Sequence, residues 1–181
     1  MTEKDRIHWD EEWTRTGPAP VGRHGPPPLF AGREHLFPTE GQALEVACGR
    51  GRGAVWLAAR GLRVWAVDVS AVAVNLAREL ATRSGLDHLC RFDVVDLDDG
   101  LPEGPPVEVL LCYLFRDRRL DRPMIERLAP GGLLAIATLS QVDIGPGPFR
   151  VEPGELRAAF AELNVLAEKE GHGEAWLLAT K

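Results

Sequence analysis

The sequence predicts an α/β fold, and three observations carry the prediction. Short, nearly continuous apolar runs recur along the chain, as strands covered on both faces do. They alternate with stretches of helical periodicity, such as Ala73, Leu76, Ala77 and Leu80 at i, i+3, i+4, i+7. The first run, Leu44-Glu45-Val46-Ala47-Cys48, ends in Gly49-Arg50-Gly51-Arg52-Gly53 and leads at once into the helical stretch Ala54–Ala59. Strand, glycine turn and helix in succession build a sheet with helices on its faces and a ligand turn at one strand end.

The elements follow in order. Residues Asp5–Trp13 are expected as a short helix that sets Trp9 and Trp13, four apart, on one face. Residues 17–41 hold Pro18, Pro20, Pro26, Pro27, Pro28 and Pro38 among glycines, and read as a long loop laid over the domain. This gives an N-terminal arm or lid, residues 1–41, ahead of a domain at 42–181. Leu62–Asp68 is a second strand, and Ser70 is placed to cap the helix that Gly85 stops. Leu89–Leu97 is a third strand. Val107–Leu114 is a fourth, and a helix near 122–128 carries Pro123 in its first turn. Leu133–Thr138 is a fifth, after Pro130-Gly131-Gly132. Leu156, Phe160 and Leu163 mark a last helix. Val165–Glu168 and Trp176–Thr180, joined across Gly171-His172-Gly173, suit an antiparallel hairpin.

Length, charge and cysteines bound the function. At 181 residues the chain is one domain long, with 45% hydrophobic and 27% charged residues. A net charge of −6 disfavours a nucleic-acid partner, since phosphate binding wants a basic face. Cys48, Cys90 and Cys112 form no C-x-x-C pair, and the histidines are scattered, so no metal site is expected. No apolar run approaches the ~20 residues of a membrane span, and the start shows no secretory pattern, so no membrane partner and a cytoplasmic location are expected.

The ligand of the glycine turn has two readings. Gly49-x-Gly51-x-x-Ala54 satisfies the loose dinucleotide fingerprint, with Asp68 placed 19 residues on for a ribose. Against a pyrophosphate stands Glu45, a carboxylate under the turn, which favours a cationic ligand.

From Leu44 to Lys181 the series resembles the class I S-adenosylmethionine-dependent methyltransferases. Glu45-Val46-Ala47-Cys48-Gly49-Arg50-Gly51 matches that family's acidic-x-x-x-Gly-x-Gly motif, and Leu128–Leu134 its turn before strand five. The resemblance implies a Rossmann-like seven-stranded sheet, order 3-2-1-4-5-7-6, with strand seven antiparallel and helices on both faces of a single domain. It implies S-adenosyl-L-methionine as cofactor. Glu45 would face the methionine ammonium, Ala47, Cys48, Gly49 and Gly51 would pass beneath the ligand, and Asp68, with Val69 and Ser70 after it, would take the ribose. Asp96 would accept from the adenine amine, Leu97 would flank the ring, and Cys112 would line the transfer site.

The acceptor is less legible. Members that methylate base or glutamine amino groups often carry Asn/Asp-Pro-Pro-Tyr after strand four, where this chain has Cys112-Tyr113-Leu114-Phe115. The Trp9…Trp13 pattern and Phe149–Leu156 resemble the tellurite-resistance and thiopurine methyltransferase branch. That branch implies a small acceptor such as a thiol or chalcogen species, with Trp9, Trp13, Tyr113, Arg116 and Arg150 as candidate acceptor contacts and no assigned catalytic base. The alternatives are a cofactor-binding protein without turnover and an NAD(P) oxidoreductase.

Overall fold

The computed structural model describes residues 3–22 and 24–181. The strand order is β3-β2-β1-β4-β5-β8-β7, with β6 beside β5, in a mixed and mostly parallel sheet with helices around it. The strands are β1 Gln42–Val46, β2 Arg63–Asp68, β3 Cys90–Val94, β4 Val107–Tyr113, β5 Leu128–Ser140, β6 Arg150–Val151, β7 Asn164–Gly171 and β8 Glu174–Thr180. The helices are α1 Glu3–Thr16, α2 Arg52–Ala59, α3 Ala71–Arg83, α4 Asp121–Arg127 and α5 Glu155–Ala159. Without the two-residue β6, this is the expected order 3-2-1-4-5-7-6. The strand that pairs antiparallel with β5 is the last one, as expected. Residues 1–102 and 103–181 form two compact units.

In the first unit β1 and β3 lie parallel to β2 on its two sides. Leu44, Val46, Ala66 and Val67 are fully buried, as are Ala54, Val55 and Leu57 of α2 and Ala73, Val74 and Ala77 of α3. Burial of this apolar set stabilises the strands and helices that carry the glycine turn, at roughly 25 cal/mol per Å² removed from water. The third strand ends at Val94, three residues short of expectation. Asp96 accepts a hydrogen bond from the Asp98 N–H (2.9 Å) and starts a one-turn 3₁₀ helix, Leu97–Asp99. A short acidic side chain offers its own backbone an alternative to the ladder.

The segment expected as a bare loop has structure of its own. Pro28–Phe30 and Glu34–Leu36 are one-turn 3₁₀ helices, and Ala19, Phe30 and Phe37 are buried. The Phe37 ring meets Phe30 at 6.0 Å and Trp56 of α2 edge-on at 4.8 Å. The guanidinium groups of Arg50, Arg60 and Arg83 donate to the carbonyls of Gly17 (2.9 Å), Phe37 (2.7 Å) and Ala19 (2.9 Å). Proline fixed the backbone here without freeing it. The segment is pinned to the unit that holds the glycine turn. Helix α1 extends beyond the expected span to Thr16, with the Thr14 and Thr16 hydroxyls bonded to the carbonyls four residues back.

In the second unit β4 pairs with β5, β5 with β8, and β7 with β8. Val107 pairs with Leu128 and Val109 with Leu133, so β5 begins earlier than expected and the Pro130-Gly131-Gly132 turn is an irregularity within the pairing. The last helix closes at Ala159, yet Leu156, Phe160 and Leu163 are all buried, so the stripe was read correctly and its regular helix too long. The start of α5 is tied down by Glu155. Its carboxylate accepts from Arg118 (2.8 and 2.5 Å), Arg116 (3.4 Å) and the Glu152 N–H (3.1 Å). Arg118 above all, by hydrogen bond, holds the Glu155 carboxyl down to about 2. A carboxyl lowered on folding contributes stability above its unfolded value of 4.5, lost as pH falls toward 2. Glu155→Gln is therefore expected to flatten the decline in stability across that window. Urea titrations at pH 2–5 that fall in parallel for both proteins would refute this.

Candidate functional site

The site in the first unit is built on one carboxylate that joins two strand ends. The Cys48 N–H donates to the Val67 carbonyl (3.0 Å), extending the ladder one step past β1. The chain then turns back through Ala47 and Gly49, both with positive φ (53° and 51°), and the Gly51 N–H closes on the Cys48 carbonyl at 2.9 Å. Asp68, the last residue of β2, holds this turn: its Oδ2 accepts from the Gly49 N–H (2.8 Å) and its Oδ1 from the Ser70 N–H (2.9 Å). A carboxylate has acceptor positions beyond those two, the pattern that suits a pair of ribose hydroxyls. Ser70 Oγ accepts from the Ala73 N–H (3.1 Å) and caps α3 as expected. Val69 is buried beside it.

Helix α1 reaches the same place. Asp10 Oδ1 accepts from Ser70 Oγ (2.5 Å) and from the Val72 N–H (3.4 Å), while Arg6 pairs with Oδ2 at 3.0 Å. Trp13 lies against the glycine turn: a Cβ at Gly49 would sit 3.0 Å from its ring. The Arg50 guanidinium stands 5.6 Å from the Trp13 ring centre, and Trp9 stacks on Trp13 at 6.0 Å. Asp10 and Arg50 escaped the sequence reading. The only signal for Asp10 was its place between the two tryptophans, and surface acids between tryptophans are common.

The electrostatics are those of a site waiting for positive charge. Glu45 is 4% exposed, and burial pushes its carboxyl up to about 8; the Ala54 N–H opposes the shift and the Asp68 charge adds to it. Glu45 Oε2 is buried with no hydrogen-bond partner. Burial also raises Asp68, against the N–H groups of Ser70 and Gly49, with the Asp10 charge adding to the rise. Burial raises the Cys48 thiol, which is inert as a nucleophile there. Carboxyl groups gathered under a glycine turn suit a ligand with an ammonium and hydroxyls better than a pyrophosphate.

The remaining candidates separate. Asp96 is half-buried and accepts from the Asp98 N–H as described; Leu97 beside it is buried, 2% exposed. In the second unit Cys112 is fully buried and its Sγ donates to the Phe115 carbonyl (3.4 Å). Tyr113 is half-buried at the end of β4. Arg116 was expected as a possible guide for an anionic acceptor, but it is 7% exposed and bonded to Asp121 (2.8 Å to Oδ2) and Glu155. Arg150 is turned onto the Gly145 carbonyl at 3.0 Å. Among the described residues, no group of three or more His, Cys, Asp or Glu side chains is placed to hold a metal, and no helix is long and apolar enough to cross a membrane.

The comparisons agree with this geometry. A family described as "Methyltransferase domain" matches residues 43–132. Methyltransferase GfsG of Streptomyces halstedii is 33% identical over 105 residues, covering 54% of this chain and 37% of that protein. A ribosomal RNA small subunit methyltransferase C of Chromohalobacter salexigens is 31% identical over 137 residues, 72% of this chain and 39% of that one. The chain thus spans under two fifths of the length of these relatives. TehB from Haemophilus influenzae superposes with a TM-score of 0.70 at 18% identity, over 78% of this chain and 58% of that one. A structure described as "Conversion of a Disulfide Bond into a Thioacetal Group during Echinomycin Biosynthesis" superposes with a TM-score of 0.68 at 22% identity, over 99% of this chain and 92% of that one. With the acid-and-glycine turn, the strand order and the matched domain together, this chain carries a methyltransferase domain of the class I S-adenosylmethionine-dependent family.

Proposed function

We propose that the chain transfers a methyl group from S-adenosylmethionine to a small-molecule acceptor with a soft nucleophile, a thiol or a chalcogen species. When bound, the cofactor supplies the activated methyl. A displacement of this kind chiefly needs donor and nucleophile aligned, so a soft acceptor requires no general base from the protein. The cofactor-holding residues in this reading are Glu45, Ala47, Cys48, Gly49, Gly51, Asp68, Val69 and Ser70, with Asp96 for the adenine amine. Residues 1–41 are the lid, and Trp13 and Asp10 exclude water over the turn; 42–181 are the transferase domain.

One observation weighs against a phosphate-bearing acceptor. The arginines that follow β4 are neutralised in place: Arg116 by Asp121 and Glu155, Arg118 by Glu155, Arg119 by Asp117, and Arg122 by Glu126 and Glu162. A phosphate-binding face needs cations held out to the ligand, and paired arginines in a chain of net charge −6 do not supply them. The sulfur chemistry named for the echinomycin-pathway structure is in keeping with a soft acceptor. The test is turnover of methyl-labelled cofactor against a panel of thiols, selenite and tellurite, small metabolites and ribosomal RNA. Transfer to a thiol or chalcogen species is expected. Transfer to RNA alone would overturn the reading, and cofactor binding with no transfer would mark a binding protein.

A further inference from the structure

Among the described buried side chains of the site, Glu45 is the carboxylate with an oxygen that has no hydrogen-bond partner. Asp68 has an N–H on each oxygen and Asp10 has Ser70, Val72 and Arg6. Glu45 receives the Ala54 N–H, and its Oε2 has no partner although the residue is 4% exposed. An unpaired charge is not kept in such a place; the group takes up a proton instead.

We propose that Glu45 is uncharged in the free protein and releases its proton to solvent when the cationic methionine end of the cofactor is seated, so that cofactor capture is coupled to proton release. The inference rests on S-adenosylmethionine being the ligand of this turn. In the balance, neutral Glu45 and the ligand's ammonium become an ion pair plus one proton in solution, and no other bond changes. The groups around Glu45 leave it this role. From β2 comes Asp68, a like charge; from the turn comes the Cys48 thiol; from β3 comes the Cys90 thiol, itself raised to about 12 by burial and then by the Glu45 charge; from α2 comes only the Ala54 amide. Asp10 of α1 adds a further negative charge at Asp68, and its cation, Arg6, is engaged on the far oxygen. A burial-raised carboxyl of about 8 agrees with this arrangement.

Titration calorimetry at pH 7 in phosphate, HEPES and Tris gives the number of protons exchanged on binding. Binding of S-adenosylmethionine to the full chain is expected to release about one proton more than binding to Glu45→Gln, whose own thermal melt confirms folding. The difference cancels the ligand's own ionisation. S-adenosylhomocysteine, which keeps the ammonium and lacks the sulfonium, is expected to release the same proton. Equal counts for both proteins, or release with S-adenosylmethionine alone, overturn the proposal while leaving the cofactor assignment standing; no binding of either ligand overturns both. A second readout needs no ligand. A carboxyl raised on folding contributes stability that is full below 4.5 and lost as pH rises through 8. The folding constant of the free protein should therefore fall by up to about tenfold per pH unit in that window from this group, and Glu45→Gln should remove that slope. An unchanged slope overturns the proposal.

Discussion

Gly51→Ala is expected to lower the stability of the free protein by about 2–5 kcal/mol, the sum of left-handed backbone strain and overpacking. Gly51 has φ 73°, and a Cβ there would stand 2.6 Å from Ala77 Cβ, 3.1 Å from Ala77 Cα and 3.1 Å from the Phe92 ring. No flexible side-chain end is available to yield, since Ala77 is a short residue in the middle of buried α3. The turn passes that close because Asp68 draws it down at Gly49, beside the α3 N-terminus that Ser70 caps. A double variant, Gly51→Ala with Ala77→Gly, should lose less than the two single variants together, since it removes the shorter contact. Denaturant unfolding checks both. A loss under about 0.5 kcal/mol for Gly51→Ala would mean that α3 lies further from the turn than it does here.

Asp68→Ala is expected to weaken S-adenosylmethionine binding by about 1–3 kcal/mol, through loss of hydrogen bonds to a charged acceptor. The substitution also strands the N–H groups of Gly49 and Ser70, so a fall in stability accompanies it. The two effects separate by variant. Asp68→Asn keeps one acceptor oxygen and one of the two backbone bonds, so its stability should lie between wild type and Asp68→Ala, while its affinity stays reduced. Calorimetry showing unchanged affinity in a folded Asp68→Ala protein would remove Asp68 from the ligand site.

The sheet was legible because each strand announces itself locally. Leu133–Ala137 and Ala175–Ala179 are apolar without interruption and Ala43–Val46 is broken only by Glu45, as expected of strands covered on both faces, and their turns are marked by glycine. The errors lie where local signals compete. Asp96 drew its own backbone into a turn and ended β3 early, and Arg150–Val151 is too short to show a period. The proline-rich segment read as loose because its anchors, Arg60 to Phe37 and Arg83 to Ala19, join residues far apart in sequence.

The sequence by itself determined the α/β class, the strand order through its likeness to a family, and the glycine turn with Glu45 and Asp68 as its acids. Those are properties of short windows, in which apolar period, glycine and an acid at fixed spacing suffice. Only the tertiary structure decided how charges are spent. Arg116, a free cation on the sequence, is tied to Asp121 and Glu155, while Asp10, an ordinary helix acid on the sequence, bonds Ser70 beside Asp68. Glu45 was read as the partner of a ligand ammonium, and its burial with an unpartnered oxygen is what adds a proton to that role in the free protein. Charge state depends on the whole set of neighbours and on exclusion of water, and neither is written in the spacing of residues along a chain.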